Sequence, residues 1–215
     1  MLLSDDVIFN ELIWESSMLS RSLVLGVLMV GMMGHAVAIE IPQDQVPEVK
    51  RSENGKYLTP KEAHQFITQE AASTLLIDAR TPAEIQFVGY TDLMDANVPY
   101  ITYDYSAWDD KAKEYKRVPN SAFLTQVEEA LAKKGMSGKK DARIIVMCRS
   151  GDRSAKAVDL LAKSGFTNVW SQIDGFEGDK ASTGDKKGQR VVNGWKNEGL
   201  PWTYNMNKAK AYYLD

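Results

Sequence analysis

Cys148 is the only cysteine in a chain of 215 residues. It follows the apolar run Arg143-Ile-Ile-Val-Met147 and opens the segment Cys148-Arg-Ser-Gly-Asp-Arg-Ser154. Behind that segment, Ala155-Lys-Ala-Val-Asp-Leu-Leu-Ala-Lys163 carries apolar residues at helical spacing. The order is strand, short polar loop, helix, with a thiol at the strand's carboxyl end. A helix start presents unpaired N–H groups and the positive end of the helix dipole to such a loop. Successive loop amides can also form a concavity for an anion. Arg149 and Arg153 add two full positive charges. The thiolate is the nucleophile, and a field of this kind favours the anion. These residue types at this spacing predict attack by sulfur on an anionic substrate held by the loop, Arg149 to Ser154. Burial as a small apolar group is the commoner fate of a free cysteine, but packing alone gives no use for Arg149, Ser150, Gly151, Asp152, Arg153 and Ser154.

Other candidates are weaker. Asp78 and Arg80 follow the end of an apolar strand and are placed to pair with each other in support of the fold. His64 lies on a polar helix and is expected at the surface, and His35 falls in the N-terminal segment. No histidine is therefore placed as a general base, and no cluster has metal-ligand spacing, so neither metal nor cofactor is expected. Trp170, Trp195, Trp202, Tyr204, Tyr212 and Tyr213 read as core and edge aromatics.

The elements that must position Cys148 follow from pattern and punctuation. Thr59, Pro60 and Glu62 have the types of a helix start, and the spacing predicts a helix to about Gln69. Ser73 to Ile77 reads as a buried strand that delivers Asp78, and Asn97 to Ile101 as a second short strand. Asn120 to Phe123 opens a helix with Leu124, Val127 and Leu131 on one face, ending near Gly135. Residues 143–147 form the central strand, residues 153–164 the helix behind the thiol, with Gly165 as its terminator, and residues 168–172 a further strand. Strands alternating with helices predict an α/β fold, a parallel sheet with helices on both faces. Ligands of such sheets sit beyond the strands' carboxyl ends, where Cys148 falls.

The N-terminus reads differently. Residues 23–33 are an uncharged apolar run of the length found in a signal peptide and short for a bilayer span. Arg21 precedes it, and Ala36-Val-Ala38 fits a cleavage site. The acidic residues Asp5, Asp6, Glu11 and Glu15 upstream are foreign to a signal, so translation is expected to start at Met18, with 1–17 a start-site artefact. The expectation is a signal peptide over 1–38, an extension over 39–57, a catalytic domain over 58–202 and a tail over 203–215, the mature protein being periplasmic. A membrane partner is expected only if the signal is retained. The whole chain has 26 Lys and Arg against 29 Asp and Glu, a formal charge of −3. Cleavage would remove Arg21 and four acidic residues and leave the remainder neutral. No basic stripe points to nucleic acid. At 44% hydrophobic residues the composition supports one core of ordinary size.

With these residues assembled, the chain resembles the rhodanese-like sulfurtransferases over roughly 58–201. The segment Cys148 to Ser154 resembles their active-site loop. Leu76-Ile-Asp78-Ala-Arg80-Thr-Pro-Ala-Glu84 resembles the family's Asp-x-Arg-x-x-x-Glu segment, and Ala96-Asn97-Val98-Pro99 the stretch that follows it. Gly165 to Val169 and Asp174-Gly175-Phe176 resemble the strand and turn after the catalytic helix. The sequence departs from the family where Tyr90 rather than His follows Gly89, where Phe176 rather than a second Gly follows Gly175, and in the long stretch 102–119. The resemblance implies transfer of a sulfane sulfur from a small anionic donor such as thiosulfate through a persulfide on Cys148. The acceptor would be cyanide, a thiol or a protein. It also implies that Asp78, Arg80 and Glu84 support the site, and Glu84 is a candidate partner for Arg153. Two alternatives stay open: a sulfur-carrier or redox-partner module with little turnover, and a cysteine-dependent phosphatase or arsenate reductase. The last has five residues between Cys and Arg, whereas four separate Cys148 from Arg153.

Overall fold

Thr59 caps the first long helix, α1 (Pro60–Gln69), as its type requires. Its side chain accepts the Glu62 N–H, and the Glu62 side chain returns to the Thr59 N–H. The same Thr-Pro-x-Glu signature recurs at Thr81 and closes a second capping box on α2 (Pro82–Val88). Seen in a computed structural model that describes Ala38 and residues 41–212, these helices flank a five-stranded sheet. Its strands are β1 (Tyr57–Leu58), β2 (Thr74–Asp78), β3 (Ala96–Asn97), β6 (Arg143–Met147) and β7 (Val169–Gln172). The spatial order is β1-β7-β6-β2-β3, and every neighbouring pair is parallel. The central pair is held over its full length, from Thr74 opposite Arg143 to Asp78 opposite Met147.

Alternation along the central strands sends side chains to two cores. Leu75, Ile77, Ile144 and Val146 pack with Phe123, Val127 and Leu131 of α3 (Phe123–Lys133) and with Ala157, Val158 and Leu161 of α4 (Asp152–Lys163). Leu76, Ile145 and Met147 face the other way, onto Ala63, Phe66 and Ile67 of α1, Ile85 of α2, and Phe176 and Trp195. The expected α/β architecture with helices on both faces is therefore the observed one. Strands buried on both sides read as continuous apolar runs, as residues 74–78 and 143–147 do.

Three details differ from the sequence expectation. The strand expected over 97–101 is divided. Asn97 ends β3, its side-chain amide donating to the carbonyls of Asp78 (2.8 Å) and Arg80 (2.7 Å). Past Pro99 the chain leaves the sheet and starts a separate antiparallel hairpin, β4 (Ile101–Asp109) with β5 (Glu114–Pro119), its register shifting between Asp104 and Trp108. That hairpin accounts for the long stretch 102–119. His64 is half-buried rather than on the surface, edge-on to Trp195 at 5.7 Å between ring centres, because α1 lies against the loop that carries Trp195.

The segment before β1 is part of the packed structure. Val46, Lys50, Ser52 and Tyr57 are buried, and β1 pairs with β7 at the sheet's edge. At the other end, Thr203 exchanges backbone hydrogen bonds with Tyr90. The Tyr90 hydroxyl donates to the Asn205 carbonyl at 2.9 Å and accepts the Asn207 N–H at 2.8 Å. The tyrosine that stands where the family carries histidine thus anchors the C-terminal strap. The expected signal peptide, the candidate start at Met18 and Tyr213 lie outside the described residues. Among the described residues no helix is long and apolar enough to cross a membrane.

Candidate active site

The central strand β6 ends at Met147, and Cys148 is the next residue, at the carboxyl edge of the sheet. The chain then turns at once into α4. Gly151 makes that turn, as N-cap of the helix, with φ of 99°. A side chain there would be strained and would meet the Ile173 carbonyl oxygen at 2.0 Å. Gly151 also donates its N–H to the Cys148 sulfur at 3.1 Å. The helix start behind it leaves the first-turn N–H groups without intrahelical partners, directed at the loop.

Cys148 has no exposed surface. Its sulfur lies 3.6 Å from the Ser154 hydroxyl and 3.9 Å from a carboxylate oxygen of Asp152, the two acceptors within reach of the thiol hydrogen. Arg149, Ser150 and Asp152, all half-buried, are the side chains of the loop that keep exposed surface.

The loop's shape is fixed from three sides. From α2, Glu84 accepts both terminal nitrogens of Arg153 at 2.6 and 2.8 Å. Burial by itself would raise the Glu84 pKa, but the hydrogen bonds and charge of Arg153 prevail and hold it at about 2. Burial by itself would lower the Arg153 pKa. The hydrogen bond and charge of Glu84, with a smaller contribution from Cys148, raise it instead. From within, Ser154 is fully buried, donating to the Gly151 carbonyl at 3.0 Å and meeting the Ser171 hydroxyl at 3.0 Å. Arg153 and Ser154 therefore shape the loop, and the side chains left to face an entering anion are those of Arg149, Ser150 and Asp152.

From the far side comes the turn after β7. Phe176 donates its N–H to the Cys148 carbonyl at 2.7 Å, and Glu177 and Gly178 donate theirs to the Arg149 carbonyl at 3.0 and 3.2 Å. Gly175 has φ of 67°, and a Cβ there would fall 2.3 Å from the Arg149 carbonyl carbon. Asp78 and Arg80 reach the loop through this turn. Both are fully buried and paired, with Arg80 Nη2 2.7 Å from Asp78 and 3.0 Å from the Gly89 carbonyl. The Arg80 guanidinium lies over the Phe176 ring, 4.0 Å from its centre. The aromatic residue that replaces the family's second glycine thus connects the Asp78–Arg80 pair to the backbone of Cys148.

Two residues near the loop carry no local sequence signal. Lys50, in the segment before β1, is buried with its ammonium 2.6 Å from Asp179 and 3.4 Å from Asp174. Its stem would lie 3.0 Å from a Cβ on Gly151. Arg190 donates to the Gly178 carbonyl at 2.6 Å. Its pKa is lowered, by burial first and by the charge of Arg149 second. Only long-range contacts bring these residues here. A groove of about 530 Å³ opens beside α2, lined by Thr81, Glu84 and Val88 and by Tyr103, Trp108 and Tyr115 of the hairpin. Among the described residues no group of three or more His, Cys, Asp or Glu could hold a metal ion.

The chain is 30% identical over 133 residues to uncharacterised protein RP600 of Rickettsia prowazekii, covering 61% of this chain and 85% of that one. It is equally similar to uncharacterised protein RC0915 of Rickettsia conorii. Among solved structures, Rv0390 from M. tuberculosis is 29% identical over 68% of this chain and 96% of its own, with a TM-score of 0.48. The polysulfide-sulfur transferase homodimer from Wolinella succinogenes is 25% identical over 75% of this chain and 85% of its own, with a TM-score of 0.39. The model of the rhodanese-like domain matches residues 59–182, more than half the chain, and takes in the Cys148 loop, α1 to α4 and every strand of the sheet except β1. The chain belongs to the rhodanese-like domain family.

Proposed function

We propose that this protein is a sulfurtransferase that moves a sulfane sulfur from a small anionic donor, thiosulfate in the first instance, to a thiophilic acceptor through a persulfide on Cys148. The observation that carries the reading is the placement of the sulfur. It lies at the carboxyl end of the central strand, under the start of α4, accepting the Gly151 N–H. The Cys148 thiolate attacks the outer sulfur of thiosulfate and a new S–S bond forms. The donor's own S–S bond breaks, and sulfite leaves with the bonding pair. Loop amides and the Arg149 charge stabilise the departing oxyanion. The acceptor, be it cyanide, a thiol or a protein thiol, then attacks the outer sulfur of the persulfide and releases Cys148, so two half-reactions of ping-pong form are expected.

Intact-mass measurement tests this directly. Incubation with thiosulfate adds one sulfur to the protein, and cyanide removes it. A mass that thiosulfate leaves unchanged overturns the reading. A sulfur that cyanide leaves in place, but a partner protein removes, moves the assignment to a sulfur carrier. The phosphatase alternative is disfavoured by the four-residue spacing between Cys148 and Arg153 and by the commitment of Arg153 to Glu84. Export rests on the sequence of residues 21–38 alone, and N-terminal sequencing of the mature protein checks it, with Ile39 as the expected first residue.

A further inference from the structure

Seven arginines fall among the described residues, and their partners divide them. Arg80, Arg117, Arg143 and Arg153 each sit on a carboxylate. Arg51 donates to the carbonyls of Val46 and Asp44. Arg149 and Arg190, like Arg51, form no ion pair among the described residues, and these two stand on either side of one residue. Gly178 gives its N–H to the Arg149 carbonyl at 3.2 Å and takes the Arg190 guanidinium on its own carbonyl at 2.6 Å. Arg149 Nε is buried and has no hydrogen-bond partner.

This juxtaposition is built in. Gly178 has φ of 77°, and a Cβ there would fall 1.7 Å from the Asn193 carbonyl oxygen. The backbone of Arg190 is fixed by its bridge to Lys180 and by the Asn197 amide on its carbonyl at 3.3 Å. The charge of Arg149 acts on Arg190, and two partly buried cations near one another repel and lose hydration; both costs fall when a multiply charged anion enters between them. Arg149 adjoins the nucleophile in the chain. The carboxylates with influence on Arg190, those of Glu177, Asp179 and Asp152, form no ion pair with it, and Asp179 is already held by Lys50 and Asn193.

We infer that Arg190 is a second anion-binding group beside Cys148, forming with Arg149 a paired-guanidinium clamp selective for dianionic over monoanionic donors. The inference rests on the sulfur-transfer reading for its substrate class. It adds a specificity residue 41 positions beyond the active loop's own arginine. Planar forks match tetrahedral oxyanions bidentately, and the same clamp would hold the dianionic sulfite that leaves.

The test compares two donors of one chemistry and different charge: thiosulfate, a dianion, and benzenethiosulfonate, a monoanion. Calorimetric titration of Cys148→Ser protein reads binding without turnover. Adding Arg190→Gln is expected to weaken thiosulfate binding about tenfold or more and benzenethiosulfonate binding less than about threefold. Arg190→Lys, which keeps the charge and loses the fork, is expected to fall between, and it stands in if the Gln variant melts early. Equal weakening for both donors, unchanged thiosulfate binding, or no binding of either donor overturns the clamp. Mass measurement on protein with Cys148 intact separates the two readings. Arg190-dependent thiosulfate binding without sulfur gain leaves the clamp and removes the transfer reading. Sulfur gain and thiosulfate KM indifferent to Arg190→Gln remove the clamp and leave transfer.

Discussion

Glu84 and Arg153, 69 residues apart, meet in a two-pronged ion pair, and the same Glu84 carboxylate closes the capping box of α2 through Thr81. One half-buried side chain thereby locks the start of one helix to the start of another, beside the Cys148 loop. With its pKa held at about 2 against the ordinary 4.5, Glu84 contributes stability that is fully present above pH 4.5. That contribution is lost as pH falls through about 2, because the unfolded chain takes up the proton first. The gap is worth on the order of 3 kcal/mol. Glu84→Gln is expected to flatten the stability profile between pH 4.5 and 2. At pH 7 it is expected to cost about 3–5 kcal/mol by leaving Arg153 buried without its counter-charge. Urea unfolding at pH 7 and at pH 3 checks both; a Gln variant with the wild-type pH slope contradicts the assignment.

Cys148→Ser is expected to abolish sulfur transfer and to keep the fold. A serine hydroxyl is protonated at neutral pH and cannot carry the transferred sulfur, and no second cysteine exists to substitute. Cyanide-coupled thiosulfate turnover should fall to background, and activity above a few per cent of wild type would refute the role of this thiol.

Arg149 and Arg153 are expected to separate in kinetics. Arg149→Ala removes a charge at the mouth and should raise the thiosulfate KM about 5- to 150-fold, corresponding to about 1–3 kcal/mol of lost charge-assisted binding, with little change in melting temperature. Arg153→Ala leaves Glu84 unpaired and the loop unsupported, and should lower kcat and cost about 3–5 kcal/mol of stability. Steady-state kinetics paired with melting curves distinguish the two; equal effects of both variants on KM and stability would contradict this division.

Gly175→Ala tests the turn that grips the loop from behind. The added methyl meets Arg149 and Ser150 backbone atoms at 2.3–2.4 Å, and neither can move without shifting the nucleophile's neighbours. A loss of about 2–4 kcal/mol is expected, with kcat falling more than stability alone explains. An Ala variant with wild-type kcat would show that the turn does not govern the loop.

What the sequence disclosed and what it concealed have physical reasons. The loop, the central strand and α4 were legible because strand, thiol, glycine and helix are contiguous and each obeys a local rule. The start of α1 was legible from Thr59, Pro60 and Glu62. The identical signature at Thr81, Pro82 and Glu84 was visible too, yet α2 has only seven residues, too few for a periodic pattern. The hairpin was concealed because its strands stand apart from the core, and its exposed rings, Tyr105, Trp108 and Tyr115, mimic a loop's irregularity. Lys50 and Arg190 left no trace at all. Their placement depends on contacts across 124 and 12 residues, which no window along the chain contains.

The complete burial of Cys148 is a property of the finished fold alone. Its shelter is assembled from β2, β6, α3 and α4, and the central pairing joins residues 69 apart, Thr74 to Arg143. Parallel pairings of that separation form slowly, since the intervening chain must first close as a loop. Until they do, the thiol stands in open solvent, where an oxidant or a second copy's thiol can reach it before the sheet does. In an oxidising medium the yield of working protein is thus set by a race between sheet closure and thiol oxidation. Refolding with reductant present should recover more active monomer than refolding without it, the difference appearing as disulfide-linked dimer.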